Sequence, residues 1–166
     1  KIPQLIDALE GRFTAHHAFL ARTHLDLIDS HDQAIAALTG KIEEAMEPFR
    51  LARDLLTTIP GIGRPTADVI IAETGADMTR FPTPAHLASW AGVVPGNNES
   101  AGKVRSTKTR PGNKHLQGAL GACMTSIAKT DTFLGARHRR LTRRRGALRA
   151  NDSTQHALHV IAWNML

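Results

Sequence analysis

Apolar residues recur along the first 46 positions at steps of three, four and seven: Ile2, Ile6, Leu9, Phe13, Leu20 and Leu27, then Ile28, Ile35, Leu38, Ile42 and Ala45. That spacing lays one stripe along a helix, as in the seam of a coiled coil or a helical hairpin. The register slips by one between Leu27 and Ile28. The pattern therefore predicts one long helix with an irregularity, or two helices meeting near Asp29 and Ser30. Gly11 and Gly40 weaken it locally, by about 1 kcal/mol each relative to alanine. Pro48 suits the first turn of a new helix. From there the periodicity predicts a helix over 48–58 and another over 65–74, stopped by Gly75. A short helix over 84–91 starts at Pro84 with Thr83 as its cap. Residues 92–111 break the pattern with a long polar stretch, in which 103–109 could form a short ribbon. Apolar spacing returns over 113–129 with Leu116, Leu120, Cys123, Met124 and Ile127. A basic helix over 133–148, either continuous or broken at Gly146, and a last helix capped by Asp152 or Ser153 complete the chain. The expected fold class is all-α: an N-terminal coiled-coil or hairpin segment over 1–47, then a compact helical domain over 48–166.

The helices expected at 48–58 and 65–74 flank Ile59-Pro60-Gly61-Ile62-Gly63-Arg64-Pro65-Thr66-Ala67. Two glycines let the backbone turn sharply, because Gly accepts positive φ without steric cost. A buried Ile62 would pin the turn. The amides of Gly61, Gly63 and Arg64 would then point outward at the start of the next helix, where free N–H groups and the dipole favour anions. At these residues the chain resembles the helix-hairpin-helix elements, which grip a phosphodiester backbone without reading bases. An ordinary αα-hairpin with a glycine turn is the alternative. The full frame of Pro60, Gly61, Ile62, Gly63, Thr66 and Ala67 favours the phosphate-binding form.

Composition sharpens this picture. At 166 residues the chain suits one domain, with or without an extension. Aromatic residues make up 4% and tyrosine is absent, so the core is built of Ala, Leu and Ile, which favours helices, and Trp90 and Trp163 are expected within it. A single cysteine excludes an intrachain disulfide and any Cys-based metal cluster. A reducing, cytoplasmic setting fits, and no signal peptide or membrane-length apolar run is present. The chain opens on Lys1 rather than Met, so a piece of a longer protein is expected. Charge is unevenly placed: residues 1–47 carry four Lys/Arg against eight Asp/Glu, whereas residues 100–166 carry thirteen against two. A basic back half implies a polyanion partner rather than a membrane, since the stretch lacks the apolar face of an interfacial helix.

Chemistry has two candidate places. Ser100 sits between Glu99 and the small pair Ala101-Gly102, with Lys103, Arg105, Lys108, Arg110 and Lys114 close behind. Small neighbours let a phosphate approach the hydroxyl, and clustered cations stabilise a phosphoryl transition state. From the residues alone, a serine in a basic loop reads as a phosphate contact, since its hydroxyl is a weak nucleophile at its free pKa. The second place is the run Arg137, Arg139, Arg140, Arg143, Arg144, Arg145 and Arg149, which suits DNA or RNA backbone contact. His156 and His159 stand near one-face spacing on a helix, but no zincin-like Glu accompanies them, so no metal site is expected.

Taken in order, several segments are similar to one family. They are Leu55-Leu56 with the Ile59–Gly63 turn, Arg80-Phe81, Leu87-Ala88-Ser89-Trp90-Ala91-Gly92-Val93-Val94-Pro95, Glu99-Ser100 and Gly112-Asn113-Lys114-His115-Leu116. The family is that of the DEDD transposases of the IS110/IS116 type, bridge-RNA-guided insertion-sequence recombinases. The resemblance covers residues 48–130. It implies that Ser100 is the nucleophile that attacks DNA and forms a covalent phosphoserine intermediate, with Ser106 as the nearest rival. It implies DNA-binding roles for Gly61, Ile62, Gly63, Arg64, Thr66 and the cations at 103–114, and a guide RNA as partner. A RuvC-like domain with four acidic residues and divalent metal (Mg) belongs to the family pattern. Its tetrad is not in this sequence, so no cofactor is expected in this fragment, which alone is expected to be inactive. A homo-oligomer through the N-terminal helices is expected as well. Base-excision glycosylases share the hairpin, but here Pro65 occupies their lysine position and no Val-Asp-Thr-His-like segment follows. A non-catalytic helix-hairpin-helix module stays open as the alternative.

Overall fold

The computed structural model describes residues 1–96, 98–106 and 108–166, with Val104 described by its backbone. It divides into two compact units, Lys1–Glu47 and Pro48–Leu166.

The first unit holds α1 (Ile2–Leu9) and α2 (Ala15–Met46). The chain breaks at Gly11, whose φ is +74°, and not at Asp29-Ser30, through which α2 runs without interruption. No glycine or proline at 29–30 stops the backbone ladder. The one-residue slip in the stripe is a side-chain drift, of the kind an α-helix shows against a seven-residue repeat. Thr14 starts α2: its N–H donates to His17 Nδ1 at 3.1 Å, and its hydroxyl pairs with the same nitrogen at 2.9 Å. No described residue of this unit is buried, and the stripe faces solvent, with Ile35 60% and Leu38 65% exposed.

The second unit is helical except for one ribbon. A 3-10 turn at Glu47–Phe49 leads into α3 (Arg50–Thr57), followed by α4 (Arg64–Thr74), α5 (Pro84–Trp90), α6 (Lys114–Lys129), α7 (Phe133–Arg145) and α8 (Ala147–Met165). Between α5 and α6 stand β1 (Asn98–Ser100) and β2 (Lys103–Ser106). Helix α8 packs against α3, α5, α6 and α7. Leu56, Ile71, Leu87, Leu116, Leu120, Ile127 and Leu158 are fully buried between these helices. Burying each such side chain stabilises the fold by about 1.5–3 kcal/mol.

Two details differ from expectation. Helix α8 begins at Ala147, so Asp152 and Ser153 lie within it and do not cap it. Gly146, at φ +83°, separates α7 from α8 alone, and the good helix formers Ala147-Leu148-Arg149-Ala150 carry the new helix from the next residue. The tryptophans are also not core residues. Trp90 is 41% exposed and stands against Phe81 at 5.4 Å between ring centroids. Trp163 is half-buried because its indole N–H donates to the Phe81 carbonyl at 2.9 Å.

Candidate nucleic-acid interface and serine ribbon

The turn between α3 and α4 is built by one left-handed glycine. Gly61 takes φ +89°, whereas Gly63 is extended and precedes the first residue of α4. A Cβ on Gly61 would strike the Ile127 side chain of α6, so the turn must be bare to sit there. Ile59 and Ile62 are each 4% exposed and anchor it from below. The Ile62 amide donates to Ile59 O at 3.0 Å and the Thr66 amide to Gly63 O at 3.1 Å, while Pro65 has no amide. The Gly61 and Gly63 amides have no hydrogen-bond partner among the described residues. Gly63 and Arg64 are exposed. The Thr66 hydroxyl lies 3.3 Å from Cys123 Sγ, facing α6. The hairpin is locked by a near-buried ion pair: Arg53 Nε lies 2.6 Å from Asp68 Oδ1, and Arg53 Nη2 donates to Oδ2 at 2.8 Å. This forked pair ties α3 to α4, and no spacing in the sequence marks the two residues as partners. Its signal was a charge on each of two otherwise apolar helix faces.

The polar stretch expected at 92–111 is largely an antiparallel ribbon. Ser100 pairs with Lys103 and Glu99 with Val104, and a bulge separates these from the Asn98–Ser106 pair. Pro95 bridges Thr109, and the Gly96 amide donates to Lys108 O at 3.0 Å, which extends the ribbon to its base. Asn97 and Thr107, which belong to that stretch, lie outside the described residues. Ala101 (φ +51°) and Gly102 (φ +74°) are both left-handed, as a two-residue hairpin turn of the primed type requires. A left-handed alanine carries strain. The small pair thus turns the chain at the tip, and Ser100 stands exposed beside it.

Strand pairing decides which side chains meet. Directly opposed residues share a face, so Ser100 and Lys103 project together. Consecutive residues project oppositely, which puts Glu99 on the other face from Ser100. Ser106 accepts from the Lys108 amide at 3.2 Å. With Asn98, Lys108 and Arg110 it lines an open groove of about 770 Å³.

Tight packing fixes the ribbon's base. Gly92, at φ +76°, and Gly112 pass so closely that a Cβ on either would meet backbone atoms of the opposite stem. Gln117 on α6 donates to Ala91 O at 2.8 Å and to Gly92 O at 3.2 Å. Asn113 caps α6 by accepting from the Leu116 amide at 2.9 Å, and its side-chain amide donates to Glu73 on α4. Lys114 is exposed on the first turn. The Gly112–Leu116 segment is therefore a joint.

The arginines of α7 divide into two groups. Arg139 donates from Nη1 to Ala128 O at 2.9 Å and to Thr130 O at 2.8 Å, closing the C-terminus of α6. Arg137 donates from Nη2 to Ser153 Oγ at 3.2 Å. Arg140, Arg143, Arg144 and Arg145 are exposed. Lys103, Arg105, Lys108 and Arg110 are exposed along the ribbon. Among the described residues no group of three or more His, Cys, Asp or Glu is placed to hold a metal ion. His159 is instead buried, with Nδ1 2.7 Å from Gln155 O. Its burial depresses its pKa, which the Gln155 carbonyl partly opposes and neighbouring His156 reinforces. No helix among the described residues is long and apolar enough to cross a membrane.

Comparison with known proteins adds to this geometry. Residues 53–139 match the model of a family described as Transposase IS116/IS110/IS902. An uncharacterized 43.6 kDa protein of insertion element IS110 from Streptomyces coelicolor is 36% identical over 108 residues, 62% of this chain and 26% of the relative. A candidate transposase of Sinorhizobium fredii, y4pF/y4sB, is 30% identical over 140 residues, 80% of this chain and 36% of its own. The pilin gene-inverting protein of Moraxella bovis is 38% identical over 68 residues, 40% of this chain and 21% of its own. The chain thus spans about a fifth to a third of the length of these relatives.

Proposed function

The chain belongs to the Transposase IS116/IS110/IS902 family, and from that premise we propose that it is the DNA-gripping, serine-bearing part of an insertion-sequence recombinase. The observation that carries this reading is Ser100, exposed at the tip of a basic ribbon and paired across the strands with Lys103. In the proposed step Ser100 Oγ attacks a DNA phosphorus. An Oγ–P bond forms, the P–O bond to one deoxyribose breaks, and that sugar oxygen leaves with a proton as a hydroxyl. The seryl proton passes to solvent or to a base outside this ribbon face, because Glu99 projects the other way. Lys103 stabilises charge on the phosphoryl oxygens. The linkage retains the energy of the phosphodiester, so the reverse attack by another strand needs no nucleotide cofactor.

The α3–α4 turn holds a backbone phosphate through the Gly61 and Gly63 amides. The exposed arginines at 140 and 143–145 hold a nucleic-acid backbone, that of DNA or of a guide RNA. The apolar stripe of α2 receives a second copy of the chain. The divalent metal of the family finds no donor set among the described residues, so no step here runs through it.

A second reading, a non-catalytic binding module, draws support from Glu99, which the ribbon turns away from Ser100. One experiment decides between the two. The full-length protein is incubated with a nicked donor-end DNA and the covalent adduct is trapped, with Ser100→Ala beside Ser106→Ala. Adduct in wild type and Ser106→Ala but not in Ser100→Ala is the expected result. Adduct retained by Ser100→Ala refutes the assignment.

A further inference from the structure

Where the ribbon base faces the start of α8, the surface closes into a groove of about 440 Å³. That size lies within the range of small-ligand sites. One wall is apolar, with Val93 (4% exposed) and Pro95 from the ribbon stem. The other is polar and basic, with Arg145 from the end of α7 and Arg149, Ser153 and His156 from α8. Positions 149, 153 and 156 follow one another by four and three, so one face of α8 presents all three. Ser153 is already oriented, because its oxygen accepts from Arg137 at 3.2 Å and its own proton is left to donate.

We propose that this groove is a nucleotide site, which takes one phosphodiester-linked nucleotide of a bound strand. The inference rests on the nucleic-acid reading above and gives it a specific seat. The phosphate lies on Arg149 and Arg145, with the Ser153 hydroxyl and the His156 ring as further donors. The base lies against Val93 and Pro95. Asp152, the one acidic group lining the groove among the described residues, accepts from a sugar hydroxyl or a base amino group. It also disfavours a second phosphate, so the occupant is a diester residue rather than a nucleoside diphosphate. Because Pro95 is bridged to Thr109, a nucleotide seated here touches the root of the ribbon that carries Ser100. Strand binding would thereby hold the ribbon against α7 and α8.

Fluorescence anisotropy tests the site, with this chain and labelled single-stranded hexanucleotides of DNA and of RNA. Arg149→Gln and His156→Gln are each expected to weaken binding about tenfold, as for loss of one charge-assisted hydrogen bond. Lys129→Gln removes the same charge from an exposed position outside the groove and is expected to change binding by about twofold or less. Both groove residues are at least partly exposed, and circular dichroism checks that the variants fold. Equal losses for Arg149→Gln and Lys129→Gln overturn the site and leave only a diffuse basic surface. Wild-type protein that binds neither hexanucleotide nor a duplex overturns the nucleic-acid reading, and the site with it. Tighter binding of one hexanucleotide, lost in Arg149→Gln, supports the site and shows which strand fills it.

Discussion

A methyl group added at Gly61 would strike Ile127, whereas one at Gly63 would meet nothing closer than Pro65 Cδ at 3.8 Å. The two glycines therefore separate folding from binding. Gly61→Val combines a left-handed strain with overpacking and is expected to cost about 3 kcal/mol in denaturant unfolding. Gly63→Val is expected to cost only about 1 kcal/mol, through a poorer N-cap, and to weaken duplex binding at low salt by obstructing the bare amides. Unchanged binding by a folded Gly63→Val would remove the phosphate role of the turn. The sequence shows both glycines but not this difference, because the demand on Gly61 comes from Ile127, far along the chain. His159 supplies a second residue-scale test. Its pKa is depressed in the fold below the ordinary histidine value of 6.5, so the unfolded chain takes up the proton first. Its contribution to stability is complete above pH 6.5 and is lost as pH falls below that value. Melting temperatures between pH 7 and pH 5 are expected to fall less steeply in His159→Leu than in wild type.

Elements were legible where a single residue punctuates them. Gly75 ends α4 in the left-handed conformation at φ +73°, and α5 starts at Pro84 behind Thr83. Gly146 breaks the basic helix. The ribbon was much less legible. Its turn residues are Ala and Gly, and its strands carry one apolar residue, Val104, so no repeated hydrophobic alternation marks them. The ion pair between α3 and α4 was hidden for another reason: pairing of Arg53 with Asp68 depends on how the helices cross. Arg53→Leu alone strands a nearly buried carboxylate and is expected to cost about 3–5 kcal/mol. Arg53→Leu with Asp68→Leu is expected to recover most of that loss. Unfolding curves of both single variants and the double variant measure the coupling.

At the scale of the whole molecule, the N-terminal unit presents a long helix with apolar residues in solvent, including Ile35 at 60% and Leu38 at 65% exposed. A second copy laid along α2 would bury them. Leu38→Glu is expected to shift a self-associated chain toward monomer in sedimentation velocity runs, with helical content retained. Identical sedimentation of variant and wild type would remove α2 as the association surface. The serine's position follows from a different feature, the close passage of Gly92 and Gly112. Both stems of the ribbon enter the helical body there, so the ribbon's length is independent of the core. Its parity is not. Lengthening each strand by two residues carries Ser100 outward by about 7 Å and keeps it on the same face. Lengthening each by one turns the serine to the opposite side. Insertions of two residues per strand therefore change the serine's reach without changing its face, as marks on an even-numbered ruler.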